Sequence, residues 1–335
     1  MRRMPVAVTA ALALSLLGAC ATTPPLTPEE HRTMHPTPST PPATPVPEQH
    51  VRDQAYVAGG DDAHTLDLTV PGGHRGPRPV VVFIHGGGWE GGSRALFEST
   101  EGQNVAALRD ALHRRGWATA SIDYRLSGDA RMPAQLHDVK AAVRWVYSHA
   151  GRYGLDRERI AVAGESAGGH LAQLLGTTRG RAAHEGRLGP LQGASSHVVA
   201  VVSYYGVSDL AAVVPDRVRA GCGRGSAGRS SPEGKLIGAD PGAEAGAKAA
   251  AAASPITYVS PESAPTLFIH GRQDCVVPHA QSERAAEALR RAGVATDLVL
   301  TDGGHAESRY YATEDMQRKA VDFLATYLDP PADGG

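Results

Sequence analysis

From about residue 50 onward, apolar and polar residues follow two alternating patterns. Short apolar runs bounded by turn residues are typical of strands, and they cover residues 50–57, 64–70, 79–85, 118–124, 160–163, 198–205, 265–270 and 296–301. Between most of these runs, apolar residues recur at the three- to four-residue spacing of helices, over residues 95–115, 133–150, 280–292 and 314–328 and directly after residue 166. This alternation predicts an α/β fold with a doubly wound, mostly parallel, eight-stranded sheet and helices on both faces.

Two insertions interrupt the alternation. Residues 178–196 are rich in Gly and Arg, and residues 207–255 include a low-complexity, helix-forming run at 243–253. Long loops at the C-terminal ends of strands line the ligand crevice in doubly wound folds. We therefore predict that the second insertion forms a wall or a lid of the functional site.

The first 48 residues follow neither pattern. Arg2 and Arg3 precede an apolar stretch at 6–17 that is too short to span a bilayer comfortably and is typical of an export signal. The stretch ends at Leu17-Gly18-Ala19-Cys20, which resembles the lipobox of bacterial lipoproteins. That resemblance implies a signal peptide at 1–19 and a lipid on Cys20 that anchors the protein to the membrane outside the cytoplasm. A plain secretory signal with a coincidental cysteine is the alternative.

The next stretch, residues 20–48, is rich in Pro and Thr and has almost no large apolar residues. Such a segment cannot bury enough surface to offset its chain entropy, which predicts a disordered linker ahead of a catalytic domain at 49–330. Overall charge adds little to this picture, since the formal net charge is −2 and 41% of the residues are hydrophobic. Nucleic-acid binding requires a clustered basic surface, and the sequence indicates none.

The strongest candidate for chemistry is Ser166, in Gly164-Glu165-Ser166-Ala167-Gly168. This Gly-x-Ser-x-Gly motif stands between a predicted strand and a predicted helix, the context in which it presents a nucleophilic serine. The two glycines leave room for a strained turn, and the helix N-terminus favours developing negative charge. The alternative is a glycine-rich turn that carries a solvent-facing serine.

A nucleophilic serine needs a histidine base and a carboxylate that orients the histidine. His305 and Asp274 each follow a predicted strand and are expected at the same sheet edge as Ser166. Other histidines are predicted to have structural roles, namely His137, His170 and His270. For the carboxylate, Asp209 and Asp302 are the competitors, and Asp302 is very close in sequence to His305.

A second glycine-rich segment, His85-Gly86-Gly87-Gly88-Trp89, follows the predicted strand at 79–85. Such a loop exposes backbone N–H groups, so the predicted oxyanion hole consists of the N–H groups of Gly87, Gly88 and Ala167. A plain turn or a phosphate cradle is the alternative, but no Walker lysine follows and no GxGxxG motif is completed. Trp89 is expected either to line the substrate pocket or to pack in the core.

Taken together, these motifs resemble the α/β-hydrolase esterase/lipase superfamily, and more narrowly the hormone-sensitive-lipase-like esterases and the bifunctional feruloyl/acetyl-xylan esterase group. The resemblance covers about residues 50–330 and includes HGGGW at 85–89, DYRL at 123–126, PAQLHDVKAAVRWV at 133–146, GESAGGHLA at 164–172, SPITYVS at 254–260, HGRQDCVVP at 270–278 and GGH at 303–305.

This resemblance implies a serine carboxylesterase that has a Ser–His–Asp triad, acts on small-molecule or polysaccharide-linked esters such as acetyl or feruloyl esters, and uses no metal or cofactor. An amidase or formamidase and a serine peptidase are alternatives on the same fold. A lipoprotein that only binds ligands is the alternative from another class of protein.

Two cysteines remain besides Cys20. Cys222 lies in the second insertion, and Cys275 follows Asp274 directly. In an oxidising compartment, such a pair favours a disulfide that would hold the insertion against the segment carrying Asp274. The sequence leaves the disulfide open because it does not fix the distance between the two Cα atoms.

Overall fold

The computed structural model describes residues 47–73, 76–98 and 103–329. The predicted signal peptide, Cys20 and nearly all of the predicted linker lie outside the described residues. Within the described part of the chain, no helix is long and apolar enough to cross a membrane.

Eight strands form one sheet in the order β1-β2-β4-β3-β5-β6-β7-β8. Their bounds are β1 Gln49–Ala55, β2 Thr65–Val70, β3 Arg78–Ile84, β4 Ala118–Ile122, β5 Leu155–Glu165, β6 Val201–Tyr204, β7 Thr266–Gly271 and β8 Thr296–Thr301. β2 runs antiparallel to both β1 and β4. All other neighbouring pairs are parallel, which confirms the predicted fold class.

Helices cover both faces of the sheet. Those that the structure describes are α1 Gln103–Arg114, α2 Ala134–Tyr153, α3 Ala167–Thr177, α4 Ala182–Glu185, α5 Val213–Arg219, α6 Pro232–Ile237, α7 Glu244–Ala253, α8 Ala280–Arg291, α9 Ser308–Tyr311 and α10 Glu314–Leu328. Alternate residues of the central strand β3 point to opposite faces. Val80 and Val82 pack in the cluster that contains residues of α2 and α3, whereas Val81 and Phe83 pack in the cluster that contains residues of α1 and α10.

The first predicted helix was wrong at its N-terminal end. A single helix was expected over residues 95–115, but a 3-10 turn at Arg94–Phe97 comes first and α1 begins at Gln103. The helix-forming run in the second insertion does form a helix, α7, and two shorter helices, α5 and α6, precede it.

Candidate active site

Ser166 lies at the turn between β5 and α3, with φ 51° and ψ −116°. This positive φ is unusual for a residue with a side chain and is tolerated where the surroundings fix the turn. A Cβ at Gly164 would collide with the carbonyl oxygen of Gly168, and one at Gly168 would collide with that of Ile84. The two glycines of the motif are therefore required for the close approach of α3 to the sheet.

A hydrogen-bonded chain joins Ser166, His305 and Asp274. The His305 Nε2 atom lies 3.0 Å from the Ser166 Oγ, and its Nδ1 atom lies 2.7 Å from an Asp274 oxygen. Asp274 lies in the acid loop, residues 272–279 between β7 and α8, and His305 lies in the histidine loop, residues 302–307 between β8 and α9. Because β5, β7 and β8 are parallel, their C-terminal ends lie at the same sheet edge.

Asp274 is only 1% exposed. The N–H groups of Val276 and Val277 donate to its Oδ1 atom, each at 2.8 Å. Burial alone would raise the pKa of the Asp274 carboxyl, but hydrogen bonds from His270 and His305 outweigh burial and hold that pKa well below its usual range. Asp274 is therefore a carboxylate and accepts the Nδ1–H of His305, which leaves Nε2 free to accept a proton from Ser166.

The predicted oxyanion-hole residues lie beside this triad geometry. Gly87 and Gly88 have φ values of 107° and 62°, and Gly86 packs so closely that a Cβ there would lie 3.4 Å from the Cβ of Ser166. The backbone N–H groups of Gly87 and Gly88, and that of Ala167 at the start of α3, have no backbone acceptor among the residues that the structure describes. Gly87 is exposed and Gly88 is half-buried, whereas Ala167 is 1% exposed.

The structure does not support the expectation that Trp89 lines the substrate pocket. Its side chain is 2% exposed and belongs to the hydrophobic core on the face covered by α2 and α3. The indole Nε1–H donates to His170 Nδ1 at 3.2 Å, and the two rings meet edge to face. The Trp89 backbone has a positive φ of 59°, and its buried side chain lies in the core below the glycine-rich segment 85–89 to which it belongs.

Two of the other histidines, which were predicted to have structural roles, have hydrogen-bond partners in the folded core. His170 is fully buried between Trp89 and the Ala253 carbonyl oxygen, 2.7 Å from its Nε2 atom, and burial lowers its pKa to about 4. His270 bonds Ser282 and the Val277 carbonyl oxygen, each at 2.7 Å, and so anchors the acid loop.

The remaining competitors do not join the triad. His137 packs against Gly186 in the first insertion. Asp209 begins a 3-10 turn, and its N–H donates to Gln281 at 2.8 Å. Asp302 is exposed.

The second insertion is joined to the acid loop and lies close to the glycine-rich loop on the other side of Ser166. Cys222 and Cys275 form a disulfide, with their Cα atoms 5.4 Å apart, and Arg217 donates to the Val276 carbonyl oxygen at 2.8 Å. On the other side, a Cβ at Gly88 would lie 3.6 Å from Pro232, which begins α6. The insertion therefore lies beside the site, as predicted for a wall.

A cavity of about 490 Å³ lies within this insertion, between α5 and the segment from Arg224 to Gly242. Its lining includes Leu210, Val214 and Glu233, but none of the triad residues. No cluster of three or more metal-ligating side chains is present in residues 47–73, 76–98 and 103–329.

Three residues near His305 were not predicted as site residues. Tyr205, at the end of β6, places its ring 4.8 Å from the imidazole and bonds the carboxylate of Glu165, and Asn104 of α1 bonds the same tyrosine. Glu165 occupies the variable position of the serine motif, which was the one available signal. Tyr205 and Asn104 belong to no motif.

An eight-stranded sheet of this order, with a serine at the turn after β5, defines the α/β-hydrolase fold. Comparison with known proteins identifies the family within this fold class. The sequence profile of the BD-FAE family matches residues 66–289, which is more than half of the chain, and the protein belongs to that family.

Among characterised relatives, Esterase LipC of Mycobacterium tuberculosis is 34% identical over 249 residues, which are 72% of this chain and 56% of LipC. The probable carboxylic ester hydrolase LipM of the same organism is 32% identical over 227 residues, which are 68% of this chain and 47% of LipM. The chain thus spans about half the length of these relatives.

Two solved structures are also similar to this chain. A truncated carbohydrate esterase from gut microbiota superposes with a TM-score of 0.73 at 29% identity, covering 87% of this chain and all of that one. A bifunctional GH43-CE protein of Bacteroides eggerthii gives a TM-score of 0.71 at 33% identity, over 83% of this chain and 38% of that protein. The protein is therefore similar to esterases in both sequence and structure.

Proposed function

We propose that the protein is a serine carboxylesterase in which Ser166, His305 and Asp274 form the catalytic triad. The observation that carries this proposal is the continuous hydrogen-bonded chain from the Ser166 hydroxyl through the imidazole to a buried carboxylate, with distances of 3.0 Å and 2.7 Å. The esterase relatives and the BD-FAE family membership support the same chemistry.

In the proposed mechanism, the Ser166 oxygen attacks the ester carbonyl carbon while His305 Nε2 takes the hydroxyl proton. The N–H groups of Gly87, Gly88 and Ala167 bind the resulting oxyanion, and one such donor is worth about 10²- to 10³-fold in turnover. His305 then gives the proton to the leaving alcohol, which departs and leaves an acyl group on Ser166. Water, deprotonated by His305, attacks this acyl-enzyme and releases the carboxylic acid.

The proposal is tested with p-nitrophenyl acetate and with a fluorophosphonate probe. We expect the wild type to hydrolyse the ester and to be labelled at Ser166, and we expect Ser166→Ala to lose both properties. Ser230→Ala, at an exposed serine in the second insertion, is the matched control and should retain both. A folded wild type that neither hydrolyses esters nor reacts with the probe would leave only the ligand-binding alternative.

For the leaving group and acyl group, we propose acetyl or feruloyl esters of plant polysaccharide. Support comes from the similarity to a carbohydrate esterase and to a GH43-CE protein. The test is a panel of acetylated xylan, methyl ferulate and p-nitrophenyl esters of increasing chain length, with a p-nitroanilide as the amide. Faster cleavage of the anilide than of every ester would instead favour the amidase or peptidase alternative.

For location, we propose that the protein works outside the cytoplasm and is anchored by a lipid on Cys20. The Cys222–Cys275 disulfide supports this, since disulfides persist in oxidising compartments and are rare in the cytosol. Fractionation of cells that express the full chain tests it. Wild type should sediment with membranes and Cys20→Ser should not, whereas equal sedimentation of the two proteins would contradict a lipid anchor at that residue.

A further inference from the structure

The surroundings of His305 contain a second set of buried and partly buried polar groups, separate from Asp274. The Tyr205 hydroxyl donates to the Glu165 carboxylate at 2.8 Å and accepts a hydrogen bond from the Asn104 side-chain amide at 3.2 Å. The same Asn104 amide donates to the backbone carbonyl oxygen of Ala306 at 3.3 Å. The four residues therefore form one chain of hydrogen bonds, from β5 through the end of β6 and α1 to the histidine loop.

The two ends of this chain are significant because of their neighbours. Glu165 directly precedes Ser166, and Ala306 directly follows His305. The chain therefore links the backbone segments that carry the proposed nucleophile and the proposed base, along a route that does not include Asp274.

The histidine loop needs such support. Gly303 and Gly304 precede His305, and Ala306 has a positive φ of 55°, so the loop has little intrinsic preference for the observed geometry. The Asn104 side chain donates to the Ala306 carbonyl oxygen on one side of His305. On the other side, the Tyr311 hydroxyl donates to the Gly304 carbonyl oxygen at 2.9 Å.

The Tyr205 ring contributes a second contact. It meets the imidazole of His305 edge to face at 4.8 Å, and it meets the Tyr311 ring in the same way at 4.7 Å. Tyr205 has a positive φ of 39° and is fully buried. Tyr205 therefore combines an unfavourable backbone conformation with a buried hydroxyl, and its ring contacts His305.

The pKa of the Glu165 carboxyl is affected by the same contacts. Burial raises the pKa of the Glu165 carboxyl, and the hydrogen bond from Tyr205 and the proximity of His305 oppose that rise. Glu165 is partly buried, and the Tyr205 hydroxyl supplies the hydrogen bond that favours its charged form.

We propose that Asn104, Tyr205 and Glu165 act as positioning residues that fix the distance between Ser166 and His305. Within the described residues, none of the three is hydrogen-bonded to the Ser166 Oγ or to a ring nitrogen of His305. The proposal rests on the triad proposed above, because a positioning role has meaning only if Ser166 and His305 react together. Since a misplacement of about 1 Å can reduce turnover by about 10²-fold, small losses of alignment are measurable.

The first test removes single polar groups and leaves the shape intact. Tyr205→Phe deletes only the hydroxyl, and Asn104→Leu keeps a branched side chain without the donor. We expect each variant to lower kcat for p-nitrophenyl acetate about tenfold, with KM changed by less than about twofold. Tyr204→Phe is the matched control and should retain kcat, because the Tyr204 hydroxyl is not part of this chain of hydrogen bonds.

The second test separates a linked chain from independent contacts. In the double variant Asn104→Leu/Tyr205→Phe, we expect a kcat close to that of the weaker single variant, because either change already breaks the chain. Additive losses would overturn the proposal, and so would a kcat within about twofold of wild type in either single variant. Each activity is normalised to the folded fraction, measured by thermal unfolding, so that loss of fold is not counted as loss of positioning.

The third test distinguishes the hydrogen bond from the charge at Glu165. Glu165→Gln retains an oxygen acceptor for the Tyr205 hydroxyl and should keep kcat within about threefold, whereas Glu165→Leu should fall as far as Tyr205→Phe. Equal losses in the two variants would show that charge acts instead, and would overturn the positioning chain. A wild type without esterase activity overturns the triad and this proposal together, whereas an active wild type with unaffected variants overturns this proposal alone.

Discussion

The Cys222–Cys275 disulfide gives the most quantitative prediction of the structure. The double variant Cys222→Ser/Cys275→Ser removes a covalent link between residues separated by 53 positions. In the folded protein, the two segments remain joined by the hydrogen bond from Arg217 to the Val276 carbonyl. The effect of the change should therefore fall mainly on the unfolded chain, which gains the conformational freedom that the link had removed.

For a closed loop of 53 residues, the chain-entropy relation gives about 4 kcal/mol at about 25 °C. For a protein of this size, a loss of that magnitude corresponds to a fall in Tm of about 8 °C. Both figures are for unfolding without reducing agent, since reduction of the wild type would remove the same constraint.

Urea unfolding at equilibrium measures this free energy, and differential scanning calorimetry measures the shift in Tm. Cys20→Ser is the control, because it removes the third cysteine and leaves the pair intact. A loss below about 1 kcal/mol in the double variant, with the wild-type disulfide verified by mass spectrometry, would refute the closure-entropy reasoning. Such a result would mean that the unfolded chain is already held compact in this region.

Three further predictions concern the site and its support. Asp274→Asn should lower kcat by a factor on the order of 10⁴, because His305 loses the partner that fixes its tautomer, and steady-state kinetics on p-nitrophenyl acetate measures this loss. Gly168→Ala should destabilise the protein by at least about 3 kcal/mol in urea, because its Cβ would collide with the Ile84 carbonyl, whereas Gly151→Ala, which has open space, should be neutral or stabilising. His170, with its pKa lowered by burial to about 4, stays neutral when an unfolded histidine of pKa about 6.5 takes up a proton. The free energy of unfolding should therefore fall as the pH drops from about 6.5 to about 4, and a Tm that is constant over this range would contradict the assignment.

Local sequence rules were sufficient where the fold repeats a local pattern. The apolar runs that predicted β3 and β7 are buried along their whole lengths, and the turn at Ser166 was recognisable because its glycines are required within five residues. The geometry that joins Asp274 and His305 followed from topology, since the ends of parallel strands meet at one edge of a sheet.

Long-range packing was not predictable in the same way. Asn104 and Tyr205 are 101 positions apart, and neither belongs to a spacing pattern that would connect them. The direction of the Trp89 side chain depends on a positive φ, which the residue type does not indicate. The 3-10 turn at Arg94–Phe97 was not predicted, because helical spacing alone does not separate a 3-10 turn from the first turn of an α-helix.

The positive φ at Ser166 means that the proposed nucleophile reduces the stability of the fold. A residue with a side chain pays about 1–3 kcal/mol for such a backbone conformation, and glycine would not. Ser166→Gly should therefore yield a chemically inert chain that melts at a higher temperature than its parent. Sequence optimisation guided by stability alone would therefore remove the proposed nucleophile.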